Sequence, residues 1–210
     1  IISIAVLAMG GEGGGVLADW IVDAAEYAGY FAQSTSVPGV AQRTGATIYY
    51  VEIYTGAKSV SGKNLKPVLS LMPVPGHVDI VIASELMEAG RAIQRGLVSR
   101  DKTTLIASSH RVYSMTEKIA MGDGRIDSRQ LIRAASDAAN RFVCANYAKL
   151  AQESGSLISA VLFGALAGVQ LLPLTRDQYE AAIRRGGVGI ESSLAAFAAG
   201  FDSVNHGGTS

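Results

Sequence analysis

The sequence of 210 residues is poor in metal ligands and thiols, with one cysteine, Cys144, and three histidines. A single thiol excludes a disulfide framework. It also excludes an iron–sulfur cluster held within this chain, because such clusters usually take four thiolates. His77, His110 and His206 lie far apart, and none has a neighbour at the spacing of a zinc site. We therefore expect no metal site in this chain.

Charged residues are scarce, at 17% of the chain against about 25% in ordinary globular domains. Basic and acidic residues balance to a net charge of zero, without the clustered Lys and Arg of a nucleic-acid-binding protein. A low charge content is typical of large interfaces with partners. It is equally typical of a parallel sheet that helices cover on both faces.

Long apolar runs are missing as well. No stretch reaches about 18 apolar residues, so we expect no membrane span, and no signal peptide is visible. We expect a cytoplasmic protein. The chain begins inside an apolar strand without a methionine, which leaves open that it is part of a longer polypeptide.

What the sequence does contain is an alternation of strands and helices. The opening unit is an apolar strand (Ile1–Met9), a glycine turn (Gly10–Gly15), a helix (Val16–Ala28) and a second strand (Tyr30–Ser36). This order is typical of a doubly wound sheet. We expect one Rossmann-like α/β domain over residues 1–210. Its sheet should be mostly parallel, with helices on both faces and the first strand near the centre.

The rest of the chain continues this alternation. We expect strands at Ala46–Tyr54, Val78–Ala83 and Thr103–Ala107, a helix from a Ser84 cap to Arg95, a hairpin at Lys118–Ile126, a helical region from Asp127 or Ser128 that continues with breaks through Gly155–Gly168, a helix to Arg185 capped by Thr175 and Gln178, and a last helix at Ser192–Ala199.

The glycine turn has GxGxxG spacing over Ala8–Gly13, with alanine at the first position. Glycines there let backbone N–H groups approach a phosphate at a helix N-terminus. An NAD site also requires an acidic residue at the end of the second strand to bind the ribose, and this chain has Gln33–Ser36 there. Glu12 would repel a phosphate if it pointed inward. A ligand-facing loop and a tight turn without a ligand both stay open.

Four blocks, in order, resemble the gamma domain of the 2-oxoacid:ferredoxin oxidoreductases, in particular the beta subunit of the indolepyruvate enzymes. They are the glycine loop and its helix, Gly10–Ala18; the loop Ser36–Gly45; the strand Asp79–Ala83 followed by Glu85 and Glu88; and the C-terminal segments Leu162–Ala165, Pro173–Leu174 and Ser193–Gly200. Two positions depart from the family pattern, with Glu12 in place of Gln and Thr44 in place of Gly.

The resemblance implies a subunit that is inactive alone and works with a larger catalytic partner. Such enzymes convert a 2-oxoacid, coenzyme A and oxidised ferredoxin to an acyl-CoA, CO2 and reduced ferredoxin. The expected substrate is indolepyruvate or another arylpyruvate. Thiamine diphosphate, Mg²⁺ and the 4Fe-4S clusters are expected on the partner. Here Gly122–Gly124 is interpreted as a hairpin turn and not as a thiamine motif, because Asn146 follows too early and in a helical stretch.

The resemblance also implies a coenzyme A site without a catalytic residue of its own. The predicted contacts are Gly10, Gly11, Glu12, Gly13, Gly14, Ser36, Gln42 and Arg43. Arg43 can clamp a phosphate or carboxylate, or equally form a salt bridge at a subunit interface. Loops after strands one and two should meet at one edge of the sheet, where Arg43 and Glu12 are expected to pair.

Two other functions remain open at this point. One is a free-standing nucleotide-binding oxidoreductase, and the other is a non-enzymatic scaffold domain.

Overall fold

The computed structural model describes residues 1–38, 46–56, 67–111 and 127–206. The strands in these ranges are β1 (Ile2–Met9), β2 (Phe31–Pro38), β3 (Ala46–Tyr54), β4 (Ile80–Ala83), β5 (Thr104–Ser108) and β6 (Arg141–Ala145). These six strands form one sheet in the order β2–β3–β1–β4–β5–β6. The helices of the same ranges are α1 (Gly14–Tyr27), α2 (Leu86–Gln94), α3 (Ser128–Ala138), α4 (Tyr147–Ser154), α5 (Ile158–Val169), α6 (Arg176–Gly186) and α7 (Ile190–His206).

The sheet is mixed, and only β3 runs against the others. β1, β4, β5 and β6 pair in parallel, whereas β3 is antiparallel to both β1 and β2. Five of the six strands therefore share one direction, and β1 lies near the centre. The predicted α/β class with a mostly parallel sheet is confirmed. Residues 39–45 alone separate β2 from β3 in sequence. So short a connection can join antiparallel neighbours, whereas parallel neighbours need a long crossover.

Helices cover both faces of the sheet. Along β1, Ile4, Val6 and Ala8 pack on one core, and Ala5 and Leu7 pack on the other, as the two-residue period of a strand requires. The first core joins the sheet to α1 and α4–α7, and the second joins it to α2 and α3. Because both faces are buried, the central strand reads as a continuous apolar run.

The helix α5 is the most deeply buried of the described helices, with every residue inside. It packs on α7 backbone to backbone, since a Cβ on Gly164 would lie 2.0 Å from the carbonyl oxygen of Phe197. None of the described helices is by itself both long and apolar enough to cross a membrane. Together α4 and α5 have that length and composition, but they meet at a bend of 117°.

Several predicted elements differ from the structure. Residues 141–145 form the edge strand β6 inside the region predicted as broken helix, because five residues between two helices carry too short a pattern to show a strand period. The cap of α2 is Glu85, which accepts the Glu88 N–H, and not Ser84. The last helix is longer than predicted, at Ile190–His206. The capping box of Thr175 and Gln178 is confirmed. The predicted hairpin Lys118–Ile126 lies outside the described residues.

Candidate functional site

The candidate site lies at the edge of the sheet where the parallel strands end. In the register of the sheet, Ala8 at the end of β1 and Pro38 at the end of β2 both pair with Thr47 of β3. The glycine loop after β1 and the segment after β2 therefore leave the sheet at the same edge, with one strand between them. This is the arrangement that the order of strands and loops predicted, and it is where ligands bind in doubly wound sheets.

The glycine loop is shaped by the left-handed backbone of Gly11 and Gly13, whose φ angles are +83° and +77°. Gly13 caps α1 without a side-chain hydrogen bond, and its carbonyl accepts the first helical N–H, that of Leu17, at 3.0 Å. A Cβ on Gly13 would lie 2.8 Å from Ser159 Oγ. At these two positions the turn itself requires glycine, whatever the loop binds.

Gly14 has a packing reason of its own. A Cβ there would lie 2.7 Å from both Ala8 Cβ and Tyr49 Cε2, closer than carbon atoms approach in proteins. A Cβ on the next residue, Gly15, would lie 3.5 Å from the Tyr49 ring, which is ordinary contact. The start of α1 is therefore pressed onto β1 and β3 at Gly14 and is open at Gly15.

A cavity of about 340 Å³ opens between the glycine loop and the sheet. Its walls are formed by Ala8, Met9, Gly10, Gly11, Gly13, Gly14, Gly15, Val16, Thr47, Tyr49 and Leu157. Four of the predicted contacts, the glycines at 10, 11, 13 and 14, thus lie on one wall of one cavity. Thr47 and Tyr49, which sequence reasoning missed, form the opposite wall. They were missed because β3 reaches this place only through its antiparallel insertion between β1 and β2.

Glu12 does not line this cavity. Its Oε2 accepts the backbone N–H of Met9 at 3.3 Å, and its Oε1 lies 3.9 Å from Nε2 of His110. The carboxylate therefore turns back toward the ends of β4 and β5. In this position it leaves the cavity side of the loop without a negative side chain, so the repulsion that an inward-pointing Glu12 would cause does not arise.

His110 is held in place from its other side. Its Nδ1 lies 2.6 Å from Oγ of Ser108, and that oxygen accepts the N–H of Tyr147 at 3.2 Å. The imidazole of His110 is therefore held between the Ser108 hydroxyl at Nδ1 and the Glu12 carboxylate on the side of Nε2. Ser108 is the last residue of β5 and His110 lies two residues beyond it, and their position at a strand end was the signal that could have identified them.

The remaining predicted site residues divide into two groups. Ser36 is exposed on β2 and pairs in register with Tyr49, so it lies beyond β3 on the cavity side of the sheet. Gln42 and Arg43 lie outside the described residues, as does Gly122–Gly124. The predicted pair of Arg43 with Glu12 therefore stays a prediction, beside the observed neighbour of Glu12, which is His110.

Two further residues at this edge have structural roles. Asn146, weighed above as part of a thiamine motif, does not lie within a helical stretch as predicted: it follows β6 directly and caps α4 by accepting the Lys149 N–H at 3.0 Å. Burial raises the pKa of the Cys144 thiol to about 11, which keeps it protonated near neutral pH. Within the ranges that the structure describes, no group of three or more His, Cys, Asp or Glu side chains is placed to hold a metal ion.

Comparison with known families gives one match over nearly the whole chain. The model of the pyruvate ferredoxin/flavodoxin oxidoreductase family matches residues 3–203. No curated protein matches the chain by sequence.

Solved structures similar to this chain share its fold. The gamma subunit of a keto/oxoacid ferredoxin oxidoreductase from Geobacter sulfurreducens is 17% identical, with a TM-score of 0.66 over 98% of this chain and 99% of that one. A pyruvate oxidoreductase subunit from Thermotoga maritima is 16% identical, with a TM-score of 0.63 over 96% and 95%. A 2-oxoglutarate:ferredoxin oxidoreductase from Magnetococcus marinus, with 2-oxoglutarate, coenzyme A and succinyl-CoA bound, is 17% identical, with a TM-score of 0.61 over 97% of this chain and 31% of that one.

Proposed function

We propose that this chain, which belongs to the pyruvate ferredoxin/flavodoxin oxidoreductase family, is the small subunit of a 2-oxoacid:ferredoxin oxidoreductase and binds coenzyme A at its glycine loop. The enzyme would form an acyl-CoA and CO2 from a 2-oxoacid and coenzyme A, and pass the electrons to ferredoxin or a similar carrier. The single observation that carries the proposal for this chain is the cavity of about 340 Å³ at the start of α1.

That cavity has the properties of an anion site. Gly14, Gly15 and Val16 line it, and their N–H groups precede the first helical hydrogen bond, so they lack acceptors within the helix. The first turn of α1 carries no acidic residue, and Glu12 is turned away. A phosphate or pyrophosphate group of coenzyme A would receive these N–H groups and the positive end of the helix dipole.

The hydroxyl groups around the cavity extend the site. Tyr49 and Thr47 face the glycine loop across the cavity, and Ser36 continues this surface toward the edge of the sheet. We propose that Gln42 and Arg43 also contact coenzyme A, because they follow in sequence the end of β2, which pairs with β3 at this edge of the sheet. A guanidinium there would pair with a second phosphate group.

The other cofactors belong on the partner in this proposal. One cysteine cannot supply the four thiolates of a 4Fe-4S cluster, and the only candidate for a thiamine motif has its Asn146 side chain engaged in a helix cap. Thiamine diphosphate, Mg²⁺ and the clusters would thus sit on a larger catalytic subunit. We propose that this chain is inactive without that subunit, and that the substrate is indolepyruvate or another arylpyruvate, as the resemblance implies.

The test uses one position with two substitutions. Gly15 has room for a Cβ, so Gly15→Ala fits the fold, and Gly15→Asp adds one carboxylate at a residue that lines the cavity. In the complex with the large subunit, Gly15→Asp should raise the KM for coenzyme A by about tenfold or more, by repulsion of phosphate. Gly15→Ala should leave it close to the wild-type value. Decarboxylation of the 2-oxoacid, measured without coenzyme A, should be unchanged in both.

A second substitution tests the charged contact. Arg43→Ala should also raise the KM for coenzyme A by about tenfold or more, since a charge-assisted hydrogen bond contributes roughly 1.5–3 kcal/mol. Unchanged KM values for both Gly15→Asp and Arg43→Ala would overturn the coenzyme A site. Binding of NADH by the isolated chain, tighter than millimolar, would favour a free-standing nucleotide-binding oxidoreductase in its place.

A further inference from the structure

A second cavity, of about 430 Å³, lies beside the glycine loop. It is bounded by α1, by the start of α5 and by the turn that joins α6 to α7, and we call it the α1 groove. Three apolar side chains at its rim are exposed to solvent, Val16 at 44%, Leu157 at 57% and Val188 at 84%. Trp20 and Ala182 also line it. Apolar side chains that are exposed around one concave surface are typical of a place where another molecule binds.

The charges of the α1 groove are unbalanced. Asp23 is paired with Arg185, whose Nη2 and Nε lie 2.6 and 2.7 Å from one carboxylate oxygen. Asp19, one turn earlier on the same helix, is exposed and lines the groove. In the part of the chain that the structure describes, no cation forms an ion pair with Asp19. The groove therefore presents apolar walls with one uncompensated negative charge beside them.

The α1 groove is continuous with the glycine-loop cavity. Val16 and Leu157 line both, and Ser159, which lines the groove, lies under Gly13. A molecule in the groove would therefore lie against the opening of the cavity. This position suits a partner that must meet the ligand held at the glycine loop.

We propose that the α1 groove docks a segment of the large catalytic subunit that places one aliphatic or aromatic side chain between Val16, Leu157 and Val188 and one lysine or arginine on Asp19. This inference rests on the proposed function for the identity of the partner. The charge of Asp19 is the reason to expect a basic residue in the docked segment, because an anionic ligand or an acidic protein would be repelled by this carboxylate. A symmetric pair of copies meeting through this groove would bring two Asp19 carboxylates into one interface.

Docking at the α1 groove would have a mechanistic consequence. A buried apolar anchor with a nearby charge pair is the usual form of an interaction hot spot. Such an anchor in the α1 groove would bring the partner over the N-terminus of α1 and exclude water from the glycine-loop cavity. Assembly and the completion of the coenzyme A site would then be one event, which explains why the chain would act only in the complex.

The experiment measures the affinity of this chain for the proposed large catalytic subunit by biolayer interferometry. Val188→Asp places a charge among the apolar rim residues, and Asp19→Lys reverses the free charge. Each has a matched control outside the groove: Val68→Asp at a side chain that is 95% exposed, and Glu26→Lys at another exposed acid of α1. Circular dichroism melting is the control that tests whether all four variants are folded.

We expect Val188→Asp and Asp19→Lys each to weaken binding to the large subunit by tenfold or more, and Val68→Asp and Glu26→Lys to bind as the wild type does. Wild-type affinity in both groove variants would overturn the proposal. A second result would also overturn the proposal: analytical ultracentrifugation shows that a groove variant loses self-association of the chain, while the large subunit still binds. The occupant of the groove would then be a second copy of this chain. If the wild-type complex assembles but fails to bind coenzyme A, the proposed function fails and the docking result stands.

Discussion

The adjacent glycines at the start of α1 allow a sharp test of the packing around the candidate site. We predict that Gly14→Ala destabilises the protein and that Gly15→Ala does not. Both residues are in the first turn of the same helix, so the gain in helix propensity is the same for both, at most about 1 kcal/mol. They differ in what a methyl group would meet.

The magnitude follows from the contacts. At Gly14 the new Cβ would lie 2.7 Å from Ala8 Cβ and from Tyr49 Cε2, whereas carbon atoms pack best at about 3.5–4.0 Å. Ala8 is 3% exposed and part of the central strand, so it cannot retreat. Overpacking of this kind costs about 1–3 kcal/mol. At Gly15 the nearest atom is 3.5 Å away, and only the propensity gain remains.

We expect the two variants to differ by about 2 kcal/mol in the free energy of unfolding, measured by urea denaturation at neutral pH. In a domain of this size that difference corresponds to roughly 4–8 °C in Tm. The wild type should lie between them. Equal stabilities, or a Gly14→Ala variant that is more stable than Gly15→Ala, would refute the close approach of α1 to β1 and β3.

Three further predictions concern groups outside the cavity. Burial raises the pKa of Glu88, with Arg91 opposing and Glu85 adding to it, so its ionisation disfavours the fold. The stability of the wild type relative to Glu88→Gln should therefore rise as the pH falls from above the raised pKa of Glu88 toward the ordinary carboxyl pKa; a difference that does not change with pH would contradict this. Cys144, with its pKa raised from 9.0 to about 11, should react with iodoacetamide near pH 8 about 100-fold more slowly in the folded chain than in the unfolded one, and equal rates would contradict this. Thr175→Ala removes one half of the capping box of α6 and should cost about 1 kcal/mol in urea denaturation, whereas a substitution at the exposed Arg129 should cost less than half of that.

The sequence by itself determined most of the local elements and the class of the fold, although it missed the short edge strand β6. The apolar run of β1, the glycine turn and the helix that follows are read from neighbouring residues, because each depends on hydrophobic period and backbone freedom within a few positions. The capping box at Thr175 and Gln178 is equally local. The blocks that resemble the gamma domain are sequence features too, and the family they indicated is confirmed by the match over residues 3–203.

Tertiary structure alone decided what faces the cavity and what surrounds Glu12. Glu12 and His110 lie 98 positions apart, and only the parallel order of β1, β4 and β5 brings their loops to one edge of the sheet. Tyr49 enters the site because β3 is inserted antiparallel beside β1, a pairing that no local pattern encodes. The α1 groove is likewise assembled from three distant segments. The direction of a side chain is set by the packing of elements that are remote in sequence, and a local sequence pattern does not contain that packing.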